Sequence, residues 1–192
     1  MMRQAIFMDR DGTVSDEVGY VNHIDRYRLL PRSAEAIRRI NQAGLMAFVV
    51  TNQSGIARGL FDEALLRRVH EALARMLADQ GARLDGIYAC VHHPDVGEPP
   101  WRADCDCRKP RPGLLLRAAQ DHGVDLSRSY MIGDTVLDIE AARRAGATGV
   151  LVLTGYGKGD LDFRMSQRRL TPAHIAGDLL DAVAWILERE RL

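Results

Sequence analysis

Five short apolar runs, at about 4–8, 45–51, 85–91, 129–133 and 149–153, each end in polar or glycine residues, with helical patterns between them. Apolar runs of that length, without alternation, predict strands buried on both faces, the pattern of parallel sheets with crossover helices. A helix is expected from Ser33 to Ala43, stopping at Gly44. After Asp62, a capping residue, Leu65, Leu66, Val69, Leu73, Met76 and Leu77 recur on one face before Gly81. Further helices are expected at about 112–122 and from Asp138 to Ala145. The last is expected to begin at Thr171-Pro172, a cap followed by proline in the first turn, and to carry Ile175, Leu179, Leu180, Val183, Ile186 and Leu187. This order predicts an α/β fold built on a doubly wound parallel sheet.

No repeat, low-complexity run or linker divides the 192 residues, so a single domain, 1–192, is expected against a prior of ~150 residues per domain. Twenty-six basic residues balance twenty-six acidic ones, and with no basic helix the chain is expected to bind no nucleic acid. No fully apolar stretch exceeds the length of Leu45 to Val50, far short of the ~20 residues that span a bilayer. The start, Met1-Met2-Arg3-Gln4, lacks the apolar region of a signal peptide. A cytoplasmic protein without membrane contact is expected, and there clustered cysteines favour a metal over disulfides.

Ligands of such sheets bind at the carboxyl ends of the strands, near the point where strand order reverses. The first strand leads into Asp9-Arg10-Asp11-Gly12-Thr13, the second into Thr51-Asn52-Gln53-Ser54-Gly55. The third leads to the cysteines and then Arg108-Lys109-Pro110, and the fourth ends in Gly133-Asp134-Thr135, with Asp138 one turn on. Two aspartates one residue apart repel unless a cation lies near them. With Asp134 they resemble an oxygen-ligand site for Mg²⁺, which keeps waters and substrate phosphate oxygens. A lysine and a threonine hydroxyl nearby are what a phosphoryl group with spreading negative charge requires.

Asp9-x-Asp11-Gly-Thr13, Thr51-Asn52, Lys109-Pro110 and Gly133-Asp134-x-x-x-Asp138 together resemble the four-motif set of the haloacid dehalogenase superfamily of phosphohydrolases. The match covers most of the chain. A narrower likeness, to the heptose-bisphosphate and histidinol-phosphate phosphatase branch, rests on five segments. They are the first motif, Gly19-Tyr-Val21, Thr51-Asn-Gln-Ser-Gly-Ile-Ala-Arg-Gly59, Cys90-x-His-His-Pro94 and Cys105-Asp-Cys-Arg-Lys-Pro110. The resemblance implies a HAD-like, Rossmann-type sheet without a large cap domain, its pocket shaped by inserted loops and a zinc-binding loop.

It further implies that Asp9 is the nucleophile, forming an aspartyl-phosphate, and that Asp11 protonates the leaving sugar oxygen and then activates water. Mg²⁺ would be held by Asp9, the backbone carbonyl of Asp11, and Asp134. Thr51 and Lys109 would bind the transferring phosphoryl oxygens, with Asp138 holding Lys109 or a metal-bound water. Thr135 departs from relatives that carry lysine there.

The cysteines read Cys90-x-His92, twelve residues, then Cys105-x-Cys107. Three thiolates and an imidazole make a closed tetrahedral Zn²⁺ site. The residues alone do not separate His92 from His93; the resemblance implies His92. Such a zinc would pin the loop from Pro94 to Pro112 and hold Arg108 and Lys109 towards the phosphate, Arg108 recognising the substrate's other end.

The segment from Val14 to Leu30 is long for a connection, and loops of that length are usually functional. Glu17, Val18, Gly19 and Tyr20 are the expected sugar contacts, joined by Thr51, Asn52, Gln53, Ser54, Arg108 and Lys109; the stretch Thr154 to Gly159 is a further candidate. His23, His70, His122 and His174 receive no role, and Trp101 and Trp185 are taken as packing residues. The expected partner is a small sugar bisphosphate, with the chain a monomer. The heptose bisphosphate is favoured by the Gly19-Tyr-Val21 loop and the absence of a fused second enzyme domain, with histidinol phosphate the alternative.

Overall fold

In the computed structural model, which describes residues 2–192, the apolar runs form strands β1 (Ala5–Met8), β2 (Met46–Asn52), β3 (Gly86–Cys90), β4 (Tyr130–Gly133) and β5 (Thr148–Val152). A sixth strand, β6 (His174–Ala176), completes a sheet of order β3-β2-β1-β4-β5-β6. Every pairing is parallel. Helices α1 (Ser33–Gln42), α2 (Glu63–Ala78), α3 (Gly113–His122), α4 (Val136–Ala145) and α5 (Leu179–Glu190) cover the two faces.

The period-2 geometry of the strands sorts the core. Ile6, Met8, Ala47 and Val49 point to the face covered by Ile37 and Ile40 of α1, Leu65, Val69 and Leu73 of α2, and Leu179, Val183 and Ile186 of α5. Ala5, Phe7, Met46, Phe48 and Val50 point to the other, against Leu114, Leu115 and Ala118 of α3 and Ala141 and Ala142 of α4. Phe7 and Phe48 stack across it with ring centroids 5.3 Å apart. Burial on both faces is why these strands read as unbroken apolar runs.

Asp62 caps α2 as expected, its carboxylate accepting from the Leu65 N–H at 2.7 Å. Two helix starts differ from expectation. α4 begins at Val136, two residues early, because Thr135 caps it and Asp138 closes a capping box. The final helix does not start at Thr171-Pro172: His174, Ile175 and Ala176 pair with Val150, Leu151 and Val152 as the edge strand. After Gly177, Asp178 caps α5 by accepting from the Asp181 N–H at 3.0 Å. Among the described residues, no helix is long and apolar enough to cross a membrane.

Candidate active site and metal centres

Strand order reverses between β1 and β4, and the residues following them meet there: the Asp9 N–H donates to the Ile132 carbonyl at 2.9 Å. The cavity above, about 110 Å³, is lined by Asp9, Asp11, Glu17, Gly19, Tyr20, Thr51, Asn52, Gln53, Ser54, Asp134, Thr135 and Tyr156.

Lys109 is its fixed positive charge. The side chain is buried, and its ammonium reaches Asp9 Oδ1 at 2.9 Å, Asp138 Oδ1 at 2.6 Å and the Val50 carbonyl at 2.9 Å. Burial works against that charge, and the carboxylates of Asp138 and Asp9 overcome it, so the ammonium is held above the usual lysine range. The Asn52 side-chain amide grips the Lys109 backbone at both ends, donating to its carbonyl at 3.1 Å and accepting from its N–H at 3.0 Å. Asp138 in turn accepts from the Thr135 N–H at 3.0 Å and the Thr135 hydroxyl at 2.6 Å. The capping box of α4 thus aims a carboxylate at the lysine.

Asp9, Asp134 and Asp138 bring carboxylate oxygens within 4.8 Å of one another. Burial pushes Asp9 up to about 7 and Asp134 up to about 9, with the neighbouring carboxylates adding to both. The Tyr156 N–H donates to Asp134 Oδ2 at 2.8 Å, but the buried Oδ1 has no hydrogen-bond partner. An orphaned acceptor among hard oxygen donors fits a small divalent cation such as Mg²⁺.

The backbone makes room for Asp134. Gly12 (φ +81°) and Gly155 (φ +52°) flank it, and a Cβ on either would sit 2.2 and 2.1 Å from its Oδ2. The Thr154 hydroxyl donates to the Gly12 carbonyl at 2.6 Å, closing the two loops around the carboxylate. Gly12→Ala is therefore expected to destabilise the fold by about 2 kcal/mol or more, a fall of about 4–8 °C in Tm. It should also weaken divalent-cation binding, because Asp134 must move. Thermal melts with and without Mg²⁺ read both, and a variant that melts and binds like the wild type would refute the cradle.

The carboxylate of Asp11 turns elsewhere. Arg10 donates to its two oxygens from Nε at 3.1 Å and Nη2 at 2.8 Å, Gln53 Nε2 donates to Oδ2 at 2.8 Å, and the Ser15 hydroxyl reaches Oδ1 at 3.3 Å. Gln53 Nε2 also donates to Thr51 Oγ1 at 2.9 Å. The side chain of Asp11 thus faces the cavity without joining the three-carboxylate cluster.

Three expected contacts do not line the cavity: Val18, Arg108 and Lys109, the last meeting its wall at Asp9. Val18 packs against the core, and its carbonyl accepts from Arg26 at 3.0 Å. Arg108 and Lys109 both line a second cavity, of about 240 Å³, that shares no lining residue with the first, and Arg108 donates to the His92 carbonyl at 3.4 Å. Arg10 had no assigned role, yet its side chain is only 1% exposed. A cation flanked by two motif carboxylates was the signal for it.

The cysteine segment folds into one cluster. Cys90 Sγ lies 3.6 Å from Cys105 Sγ, Cys105 Sγ 3.2 Å from Cys107 Sγ, and His92 Nδ1 3.5 Å from Cys107 Sγ and 3.9 Å from Cys90 Sγ. All three cysteines are free. With zinc–sulfur bonds of about 2.3 Å, sulfurs on a tetrahedron lie about 3.8 Å apart, so the donor set fits a closed zinc centre. His93 points away, its Nε2 3.0 Å from Arg58 Nη2.

Residues 106–182 match the HAD-hydrolase-like family. The chain is 42% identical over 193 residues to the D-glycero-D-manno-heptose-1,7-bisphosphate 7-phosphatase of Thermosynechococcus vestitus, covering 97% of this chain and 96% of that one. It is 47% identical over 152 residues to the D-glycero-beta-D-manno-heptose-1,7-bisphosphate 7-phosphatase of Escherichia coli, covering 79% and 80%. The crystal structure of D,D-heptose 1,7-bisphosphate phosphatase from B. bronchiseptica, complexed with magnesium and phosphate, superimposes with a TM-score of 0.86 at 37% identity, covering 97% of this chain and 99% of that one. These likenesses place the chain in the D-glycero-D-manno-heptose-1,7-bisphosphate 7-phosphatase family of HAD-like hydrolases.

Proposed function

We infer that the chain hydrolyses the 7-phosphate of D-glycero-D-manno-heptose 1,7-bisphosphate, leaving the 1-phosphate in place. The observation that carries the chemistry is the buried pairing of Asp9 with Lys109, 2.9 Å apart, beside the partnerless Oδ1 of Asp134. The names of the similar proteins carry the substrate. They do not favour histidinol phosphate.

In this reading an Asp9 carboxylate oxygen attacks phosphorus while the bond to the sugar oxygen breaks, and Asp11 delivers a proton to that oxygen. Asp11, now a carboxylate, takes a proton from the water that attacks the aspartyl-phosphate, and Asp9 and inorganic phosphate are released. Lys109 and Thr51 hold the phosphoryl oxygens, and Asn52 keeps Lys109 in place. Asp9, Asp134 and the backbone carbonyl of Asp11 would hold Mg²⁺, which when bound offsets the repulsion between an anionic nucleophile and an anionic phosphate. Cys90, His92, Cys105 and Cys107 would hold a structural Zn²⁺. Glu17, Gly19, Tyr20 and Ser54 meet the sugar at the cavity wall, and Arg108 takes the substrate's second phosphate.

The test is phosphate release measured side by side on the two anomers of the heptose bisphosphate and on histidinol phosphate. The expected result is a higher kcat/KM for a heptose bisphosphate anomer, with the 1-phosphate retained in the product; a preference for histidinol phosphate would overturn the assignment.

The raised carboxyls make a second prediction. Without a cation, Asp9 and Asp134 titrate near 7 and 9 in the folded chain against 3.8 ordinarily, so between those values the folded state binds more protons than the unfolded. Their stability contribution is present below the ordinary value and lost as pH rises towards 9. A bound divalent cation removes that loss. The Tm gain on adding Mg²⁺ should accordingly be larger at about pH 8 than at about pH 5.5, and equal gains would refute it.

A further inference from the structure

His70, on α2, lies sixty residues from Arg10 in sequence, and its Nε2 is 3.2 Å from Arg10 Nη1. A guanidinium has five donors and no acceptor, so the imidazole must accept. Burial, followed by the Arg10 charge, lowers His70 to about 4, which leaves the ring neutral and Nε2 able to accept at physiological pH. The Arg10 side chain is buried, with its guanidinium carbon 5.6 Å from the centre of the Tyr27 ring. Its fork is planar and rigid. Once one edge is fixed by His70 and one face by Tyr27, the other edge can face only Asp11, where Nε and Nη2 bind both carboxylate oxygens. Gln53 and Ser15 complete the hold on Asp11.

We propose that His70 is a positioning residue for proton transfer: acting through Arg10, it sets the plane of the Asp11 carboxylate against the oxygen of the departing sugar. The proposal rests on the reading of Asp11 as the general acid and base. A misplaced acid costs most where the leaving group is a poor one. An alkoxide from a sugar needs its proton in the transition state, whereas 4-nitrophenolate leaves with little help.

The experiment compares kcat/KM for the heptose bisphosphate with kcat/KM for 4-nitrophenyl phosphate, a ratio that reports the phosphoryl-transfer step and cancels losses common to both. Asp11→Asn serves as the reference and should lower the ratio about 100-fold. His70→Leu, which removes the acceptor, and His70→Asn, whose amide stops short of Nη1, should each lower it about 3- to 10-fold. His70→Gln places an amide oxygen near the former Nε2 and should restore most of it. If His70→Leu does not fold, His70→Asn against His70→Gln gives the same comparison. Equal losses on both substrates in the His70 variants, with Asp11→Asn still selective, would overturn the role of His70 alone. An unselective Asp11→Asn would remove the acid–base reading and the proposal with it.

Discussion

Asp9→Asn should lower phosphate release by about four or more orders of magnitude while the protein folds as well as the wild type or better. The loss follows because one substitution removes the attacking oxygen and a carboxylate of the cation cluster. The fold survives for reasons visible around the residue. Lys109 keeps Asp138 at 2.6 Å and the Val50 carbonyl at 2.9 Å, so no buried charge is stranded. The amide oxygen of asparagine can still accept from the Arg10 N–H, which Asp9 Oδ1 binds at 2.7 Å. Burial pushes the Asp9 carboxyl up to about 7, meaning that its anion is costly to the folded state at neutral pH. In chelator, the variant should therefore melt at the wild-type temperature or a few degrees above it. Turnover within tenfold of wild type would refute the nucleophile, and a Tm several degrees below it would refute this account of its cost.

The same opposition between stability and activity explains which parts of the molecule were legible in the sequence. Strands β1 to β5 were, since burial on both faces leaves unbroken apolar runs. β6 was not: it is three residues long at the sheet edge, Ile175 is exposed, and Thr171-Pro172 mimics a helix start. Cavity residues at the ends of strands, such as Asp9, Thr51 and Asp134, announce themselves because motif and strand are contiguous. Arg108 adjoins Lys109, but the Lys109 ammonium runs in to Asp9 and Asp138 while the Arg108 guanidinium turns to the His92 carbonyl, a divergence that adjacency in sequence does not show. His70 has no local signature at all. A histidine on the buried side of an amphipathic helix reads as packing until the fold brings Arg10 to it.

Removing the zinc proposed for Cys90, His92, Cys105 and Cys107 should affect stability and substrate affinity more than the chemical step. Every residue from Val91 to Arg108 is exposed or partly exposed, so the loop has little apolar surface to bury and needs another source of order. Besides the cluster it is tied down by contacts such as the Trp101 indole N–H to Glu63 at 3.2 Å and the Arg111 guanidinium to the Cys105 carbonyl at 2.6 Å. Hydrogen bonding with Cys90, followed by burial, holds the Cys107 thiol well above the usual thiol range in the absence of a cation. Binding zinc must then release protons, and its affinity should fall as the solution becomes acidic. Cys107→Ser is expected to lower Tm by about 10 °C, a loss of about 3–5 kcal/mol. Lys109 retains the Asn52 grip when the cluster opens, so kcat should stay within a few-fold of wild type. Arg108 loses the ordered His92 carbonyl it leans on, so KM for the heptose bisphosphate should rise about tenfold. Elemental analysis of the purified protein should find one zinc per chain. A protein that contains no zinc, or a Cys107→Ser variant with unchanged Tm and KM, would show that the four side chains converge without holding a metal.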